Sequence, residues 1–296
     1  MKSSLRYILL PFIIIVVIFA IFRLAPKSMN GEFEVATTIF PVYDIALNIA
    51  PSDINVLLIL EPGASPHTFE PSPSLIRSLQ STQVIYTIDP DLDGWATELV
   101  ETDTVTLSQD LDLIENIDLD EHEDEHGHEG ENPHYWLSIP YGQEMARIIA
   151  ADLTTRFPEY EEEIASRLTA YLAELDQAHL EVTEMLSEKE NRNIITFHDS
   201  WDYFAETYNL NIVGTFEPTA GREPTPQYLV ELMQAIEISQ STTLYSEPQL
   251  ATASIQSFAD DHDLTIATLD PLGGTEGRMT YIDLMLYNAK TFQENN

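Results

Sequence analysis

Cysteine is absent from the 296 residues. That excludes disulfides, thiolate metal ligands and a lipid-anchored cysteine. Any metal site must then be built from His, Asp and Glu, a donor set that suits zinc or manganese and argues against iron–sulfur chemistry. Basic residues are scarce: 13 Lys and Arg stand against 50 Asp and Glu, for a net charge of −37. A phosphate backbone would be repelled, so no nucleic acid is expected as a partner. Such an acidic surface fits work outside the cytoplasm, in surroundings whose salt screens self-repulsion. Repeats of a solenoid kind are also missing. One long uncharged run is present, Tyr7 to Phe22, preceded by Lys2 and Arg6 and followed by Arg23 and Lys27. It reads as a signal-peptide core or a short membrane anchor. No Ala-x-Ala cleavage site follows, so residues 1–30 are expected to stay as an anchor spanning about 7–24, with the rest of the chain exported.

What is present is a regular alternation. FEVATTIF (33–40), INVLLIL (54–60), TQVIYTI (82–88) and DTVTLS (103–108) have the β-rich composition of strands. Helical spacing falls between them at Val42–Ala50, Pro73–Gln80 and Gly94–Glu101. The second half repeats the scheme, with strands at 193–198, 211–216, 242–247 and 264–270 and helices at Thr225–Ser239, Gln249–Asp260 and Thr280–Phe292. Alternation of this kind predicts parallel sheets covered by helices, and hence two (β/α)4 lobes. Between them Pro140–Arg156 reads as one helix and Pro158 opens another. Ile164, Leu168, Tyr171, Leu175, Ala178, Val182 and Met185 recur at spacings of four and three, one apolar stripe on a helix reaching about Lys189. The expected organisation is an N-terminal α/β lobe over 31–139, which includes an acidic His-rich loop at 118–132, a rigid backbone helix over 140–190, and a C-terminal α/β lobe over 191–296.

The candidate chemistry is histidine-centred. HEDEH (122–126) spells the H-E-x-x-H of zinc proteases, where a helix packed on a core presents both histidines on one face. Residues 120–131 hold seven acids, three histidines and two glycines, with nothing apolar to dock such a helix. The stretch therefore reads as a solvated charged loop or a low-affinity metal-collecting tract of His122, His126 and His128. His134 differs, because Tyr135, Trp136 and Leu137 return the chain to packed structure. His67 lies in the loop EPGASPHTFEPSPS after a strand; His198 and Asp270 also stand where strands end. Open α/β sheets bind ligands at that edge. His67, His134, His198 and Asp270 thus form a candidate four-ligand set, two from each lobe. Asp199 and Ser200 beside His198 lack the G-x-S-x-G elbow of a hydrolase. No enzyme activity is expected.

TIFPVYDIALNIA, EPGASPHTFEPSPS, PHYWLS, FHDSWDYFAETYNL, EPTPQYLVELMQAI, LYSEPQ and LDPLGG together resemble the metal-binding solute-binding proteins of zinc and manganese ABC importers, from about Phe33 to Asn296. The resemblance implies two α/β lobes joined by a rigid long helix with the metal in the interlobe cleft. It implies His67 as first ligand, His134 as second, His198 as third in the form usual for zinc members, and Asp270 as fourth. It also places a His- and acid-rich loop where residues 120–131 lie. The chain departs from Gram-positive relatives in lacking the lipid-anchoring cysteine and in its acidic excess. Three imidazoles and one carboxylate favour Zn2+, with Mn2+ as the alternative cargo. Binding needs neutral histidines, so affinity should fall as pH drops through ~6.5. Glu247, at a strand end, is expected to fix a histidine tautomer. The expected function is an extracytoplasmic zinc receptor, monomeric, that delivers Zn2+ to an ABC importer membrane permease and touches the membrane through its N-terminal segment. A manganese receptor, an exported zinc hydrolase using HEDEH and a surface adhesin or metal buffer are the rivals.

Overall fold

The structure, a computed structural model, describes residues 33–98, 101–115, 130–187, 189–217, 224–249 and 253–295. The hydrophobic run at 7–22, HEDEH and the tract of His122, His126 and His128 lie outside the described residues. Among the described residues no helix is long and apolar enough to cross a membrane.

Two four-stranded sheets, each wholly parallel, organise the chain. The first runs in the order β2-β1-β3-β4, from β1 (Val35–Thr37), β2 (Val56–Leu58), β3 (Val84–Thr87) and β4 (Asp103–Thr106). Val35 faces both Val56 and Val84, and Val84 faces Asp103. The second sheet has the same order, β6-β5-β7-β8, from β5 (Asn193–His198), β6 (Asn211–Glu217), β7 (Thr243–Ser246) and β8 (Thr265–Thr268). Its register slips at Ile194/Ile195. Several strands are shorter than their apolar runs. The first stops because Pro41, in the opening turn of α1 (Phe40–Ile49), starts a helix at once.

Both faces of each sheet are buried, as crossover helices require. Val35, Val84 and Tyr86 face the main core, while Ala36 and Ile85 face a smaller cluster with Ile59, Leu79 and Ala96. Ile195, Phe197, Phe216 and Leu244 line the outer face of the second sheet, under Leu232 and Ile236 of the helix Pro226–Ser239. The covering helices of the first lobe are α1, α2 (Pro73–Leu79), α3 (Pro90–Asp93) and α4 (Trp95–Glu98). Those of the second are α7 (Asp202–Tyr208), α8 (Pro226–Ser239), α9 (Ala253–Asp261) and α10 (Tyr281–Asn295). Where a helix is expected over Gly94–Glu101, the structure has only the short α4, which follows α3 across Gly94; residues 99 and 100 lie outside the described residues.

Between the lobes, α5 (Ile139–Arg156) gives way at Phe157 and Pro158 to a 3-10 turn and then to the 27-residue α6 (Glu161–Ser187). At 1.5 Å per residue α6 is roughly 40 Å long. Ile164, Tyr171, Leu175, Ala178 and Val182 are buried along one stripe, and Leu186 rather than Met185 ends it. This helix packs on α1, α5 and α10, so one hydrophobic core runs from the first sheet to the second. Polar ties cross the same seam. Tyr281 N donates to Asp44 Oδ2 at 2.8 Å, and the Tyr281 hydroxyl donates to the carbonyl of Trp136 at 2.7 Å. Gly142 allows that approach, because a Cβ there would lie 2.6 Å from the Tyr281 hydroxyl.

Candidate metal centre

The three predicted histidines meet. One ring nitrogen from each of His67, His134 and His198 lies within 4.8 Å of the others. The ring centroids are 5.5, 5.6 and 5.1 Å apart for His67–His134, His67–His198 and His134–His198. His134 Nε2 and His67 Nε2 are 3.4 Å apart. His67 sits on the 3-10 turn Pro66–Thr68 beyond β2 and is exposed, whereas His134 and His198 are buried. The histidines line a narrow cleft with Ser65, Trp136, Glu247, Gln249 and Leu272. Both lobes therefore contribute walls.

His134 is held by what surrounds it. The 3-10 turn Tyr135–Leu137 buries all three of its side chains. Trp136 Nε1 donates to the Pro271 carbonyl at 2.7 Å, and Tyr135 donates to the Ile88 carbonyl at 2.9 Å. Asn132 Oδ1 accepts from the His134 backbone at 3.0 Å and lies 2.8 Å from its Nδ1. Asn132 Nδ2 in turn donates to the Asp199 carbonyl and to Asp202 Oδ2. An amide whose NH2 group is so engaged presents its oxygen to the imidazole, so the proton sits on Nδ1 and the Nε2 lone pair faces His67 in the cleft.

His198 ends β5 at the sheet edge and is oriented the same way. Its Nδ1 lies 2.7 Å from Glu247 Oε1, which also accepts from Ser200 Oγ at 3.0 Å and Trp201 Nε1 at 2.9 Å. His198 Nε2 is buried and has no hydrogen-bond partner. Orphaned donors and acceptors in a native interior call for an explanation, and a cation is a sufficient one. Burial lowers the His134 pKa well below 6.5, and the neighbouring His198 and His67 add to the shift. Burial acts on His198 in the same sense and is the largest single influence, but Glu247, through its charge and hydrogen bond, together with Asp199 and Glu217 raises the pKa above 6.5.

Asp270 stands apart from the clustered donors. Its Oδ1 accepts from Gln249 Nε2, Leu272 N and Gly273 N at 3.0, 3.0 and 3.1 Å. Its Oδ2 pairs with Arg278 Nε at 3.2 Å, and the whole side chain is buried. The carboxylate is thus engaged by one cation and three N–H groups. Asn132 and Gln249 were missed in the sequence. Each stands two residues from a recognised group, Asn132 before His134 and Gln249 after Glu247. That spacing, in N-P-H and E-P-Q, was the available signal.

Two parallel α/β lobes across a continuous spine, with three imidazoles converging in the cleft, define a two-lobed solute-binding protein whose cleft is suited to a divalent cation. Residues 35–295 match the profile of the ZnuA family, "zinc-uptake complex component A periplasmic", and the chain belongs to that family. Its members are metal-binding receptors of ABC importers. The chain is similar to the manganese-binding lipoprotein MntA of Halalkalibacterium halodurans, 26% identical over 274 residues, 90% of this chain and 89% of that protein. It is also similar to the zinc-binding lipoprotein AdcA of Streptococcus pneumoniae, 24% identical over 283 residues. That match covers 90% of this chain but only 56% of AdcA, so the chain spans little more than half of that relative. A crystal structure of ZnuA superposes with a TM-score of 0.79 at 24% identity, covering 89% of this chain and 99% of that one. The laminin-binding protein Lmb of Streptococcus agalactiae gives 0.76 at 20% identity, covering 88% and 98%. These two likenesses bear on the fold.

Proposed function

We propose that the chain is an extracytoplasmic zinc receptor, which holds one Zn2+ between its lobes through Nε2 of His67, His134 and His198 and hands it to the permease of an ABC importer. The observation that carries this reading is the convergence of three imidazoles, two of them buried, with Asn132 and Glu247 fixing the tautomers that leave Nε2 free. Imidazole-rich sets suit Zn2+, whereas Mn2+ prefers more oxygen. No bond of the cargo is made or broken. The lobe over 31–139 and the lobe over 191–296 each supply walls of the site, the helices over 140–190 hold their spacing, and residues 7–24 serve as the anchor. Because the core and the Tyr281 contacts tie the lobes together, release proceeds through small shifts of loops such as that carrying exposed His67.

Manganese is the second reading, favoured by the MntA relative. Competition titration of the purified chain with Zn2+ and Mn2+ separates the two. Zinc retention that far exceeds manganese retention, and that is lost when the three histidines become alanine, is the expected outcome. Equal or tighter manganese retention would turn the reading over to the alternative.

A further inference from the structure

Among the described residues that line the cleft, two buried polar atoms have no hydrogen-bond partner: His198 Nε2 and Gln249 Oε1. The first is explained by the histidine cluster. The second is not, and its orientation is determined by its neighbour. Gln249 Nε2 donates to Asp270 Oδ1 at 3.0 Å. An ionised carboxylate can only accept, so the amino half of the amide must face Asp270 and the carbonyl half must face away from it. Asp270 cannot swing to relax this, since Arg278 holds its other oxygen and two backbone N–H groups hold the same one. Its own backbone is clamped as well: Asn288 Oδ1 accepts from Asp270 N and Asn288 Nδ2 donates to Asp270 O, at 2.8 and 2.7 Å. The Arg278 guanidinium lies 4.4 Å over the Tyr287 ring. A rigid assembly therefore turns one neutral oxygen, buried and otherwise unsatisfied, away from Asp270, on a residue that lines the same cleft as the three imidazoles.

Resting on the receptor reading above, the geometry points to Gln249 Oε1 as the fourth donor to the cation, with Asp270 as the positioning residue that aims it. This division of labour has a chemical consequence. A neutral amide leaves nitrogen dominant among the donors and favours zinc, whereas a carboxylate at the same place would add the hard oxygen that manganese prefers.

The test is competition titration with Zn2+ and Mn2+ on the full chain and on Q249L, Q249N, D270N, Q249L/D270N and the swap Q249E/D270N, alongside melting curves of the metal-free proteins. Q249L should lose about 10–100-fold in zinc affinity, as groups that hold or tune a metal site commonly do. D270N should lose a comparable amount, and Q249L/D270N no more than either single variant. The swap keeps the net charge and reverses the hydrogen bond, so it should regain zinc affinity over D270N and gain manganese affinity over the wild type. A merely structural role for Gln249 would not move the preference between metals. Should Q249L not fold, Q249N, whose amide is one methylene shorter, must show the same loss. Unchanged zinc affinity in Q249L or Q249N, with D270N weakened, would overturn the assignment and make Asp270 the ligand. A wild-type chain that held no zinc would instead remove the receptor reading itself, so the two failures are told apart.

Discussion

Replacing Glu247 by glutamine tests how much of the site's strength comes from behind the histidines. One oxygen, Oε1, receives His198 Nδ1, Ser200 Oγ and Trp201 Nε1 within 3.0 Å, and the residue is buried. Alanine would leave three buried donors unsatisfied at about 1–3 kcal/mol each, enough to threaten the fold rather than the site. Glutamine keeps an acceptor of the same shape and removes only the charge. A hydrogen bond to a charged group contributes ~1.5–3 kcal/mol against ~0.5–1.5 for a neutral one. The imidazole most in need of that charge is the one that shares its electrons with a cation, so about 1–2 kcal/mol of zinc affinity should go, roughly a 5- to 30-fold loss at neutral pH. The pH profile supplies a second reading. In the wild type the Glu247 charge raises the His198 pKa above 6.5 despite burial, so protons compete with the cation as pH falls through a value above 6.5. His134, held neutral well below 6.5 by burial, does not compete there. In Glu247→Gln the His198 pKa drops, and affinity should begin to fall only at lower pH. The two titration curves should converge on acidification. Wild-type affinity at pH 7 together with an unchanged profile would refute the orienting role of Glu247.

Other perturbations probe the scaffold. Burial raises the carboxyl of Asp93 from 3.8 to about 6, ahead of the opposing bonds from Ile88 N, Thr38 and Asp89 N. The folded state thus holds this proton more tightly than the unfolded one; the stability it brings is complete below pH 3.8 and is lost as pH rises through about 6. That gap is worth about 3 kcal/mol, so the difference in denaturation free energy between wild type and Asp93→Asn should change by that order between pH 4 and 7, and a constant difference would contradict it. Gly142→Ala places a Cβ 2.6 Å from the buried Tyr281 hydroxyl and should cost about 1–3 kcal/mol in chemical denaturation; wild-type stability would show that Tyr281 can yield. Excising residues 120–129 should leave tight zinc binding intact, because Glu115 and Glu131 already pair as an antiparallel bridge that brings the ends together. Loss of that binding in a folded deletion protein would hand the task to the HEDEH tract.

The architecture was largely legible because it rests on patterns that tertiary context seldom reverses. Apolar runs separated by helical spacing fixed eight parallel strands in two sheets, and β5 matches its predicted range of 193–198. The stripe on α6 was readable for the same reason, since a helix that crosses the molecule must keep one face in the core along its length. Boundaries were less legible where capping decided them. Pro41 ended the first strand early, and Gly94, expected to open a helix, instead separates two short ones.

The site was legible to the extent that its chemistry is carried by residue type and strand end. His67 and His198 stood out at strand ends, His134 by the apolar residues that follow it, and parallel sheets deliver strand ends to a common cleft. Asp270 satisfies the same two criteria and yet lies outside the cluster, because residue type does not reveal what has already claimed a carboxylate. Its claimant, Arg278, sits across a turn in which Gly273, Gly274 and Gly277 all take positive φ. A Cβ on Gly274 would lie 2.9 Å from Phe40 and Pro62, so the chain can fold back there only with glycine. Local spacing cannot anticipate that return, which depends on the other lobe being in place. Gln249 was invisible for the complementary reason: an amide becomes a candidate donor only once a fixed carboxylate has turned its nitrogen away. The ionised residues that a sequence advertises most loudly can thus be the ones that orient the site, while a neutral neighbour reaches into it.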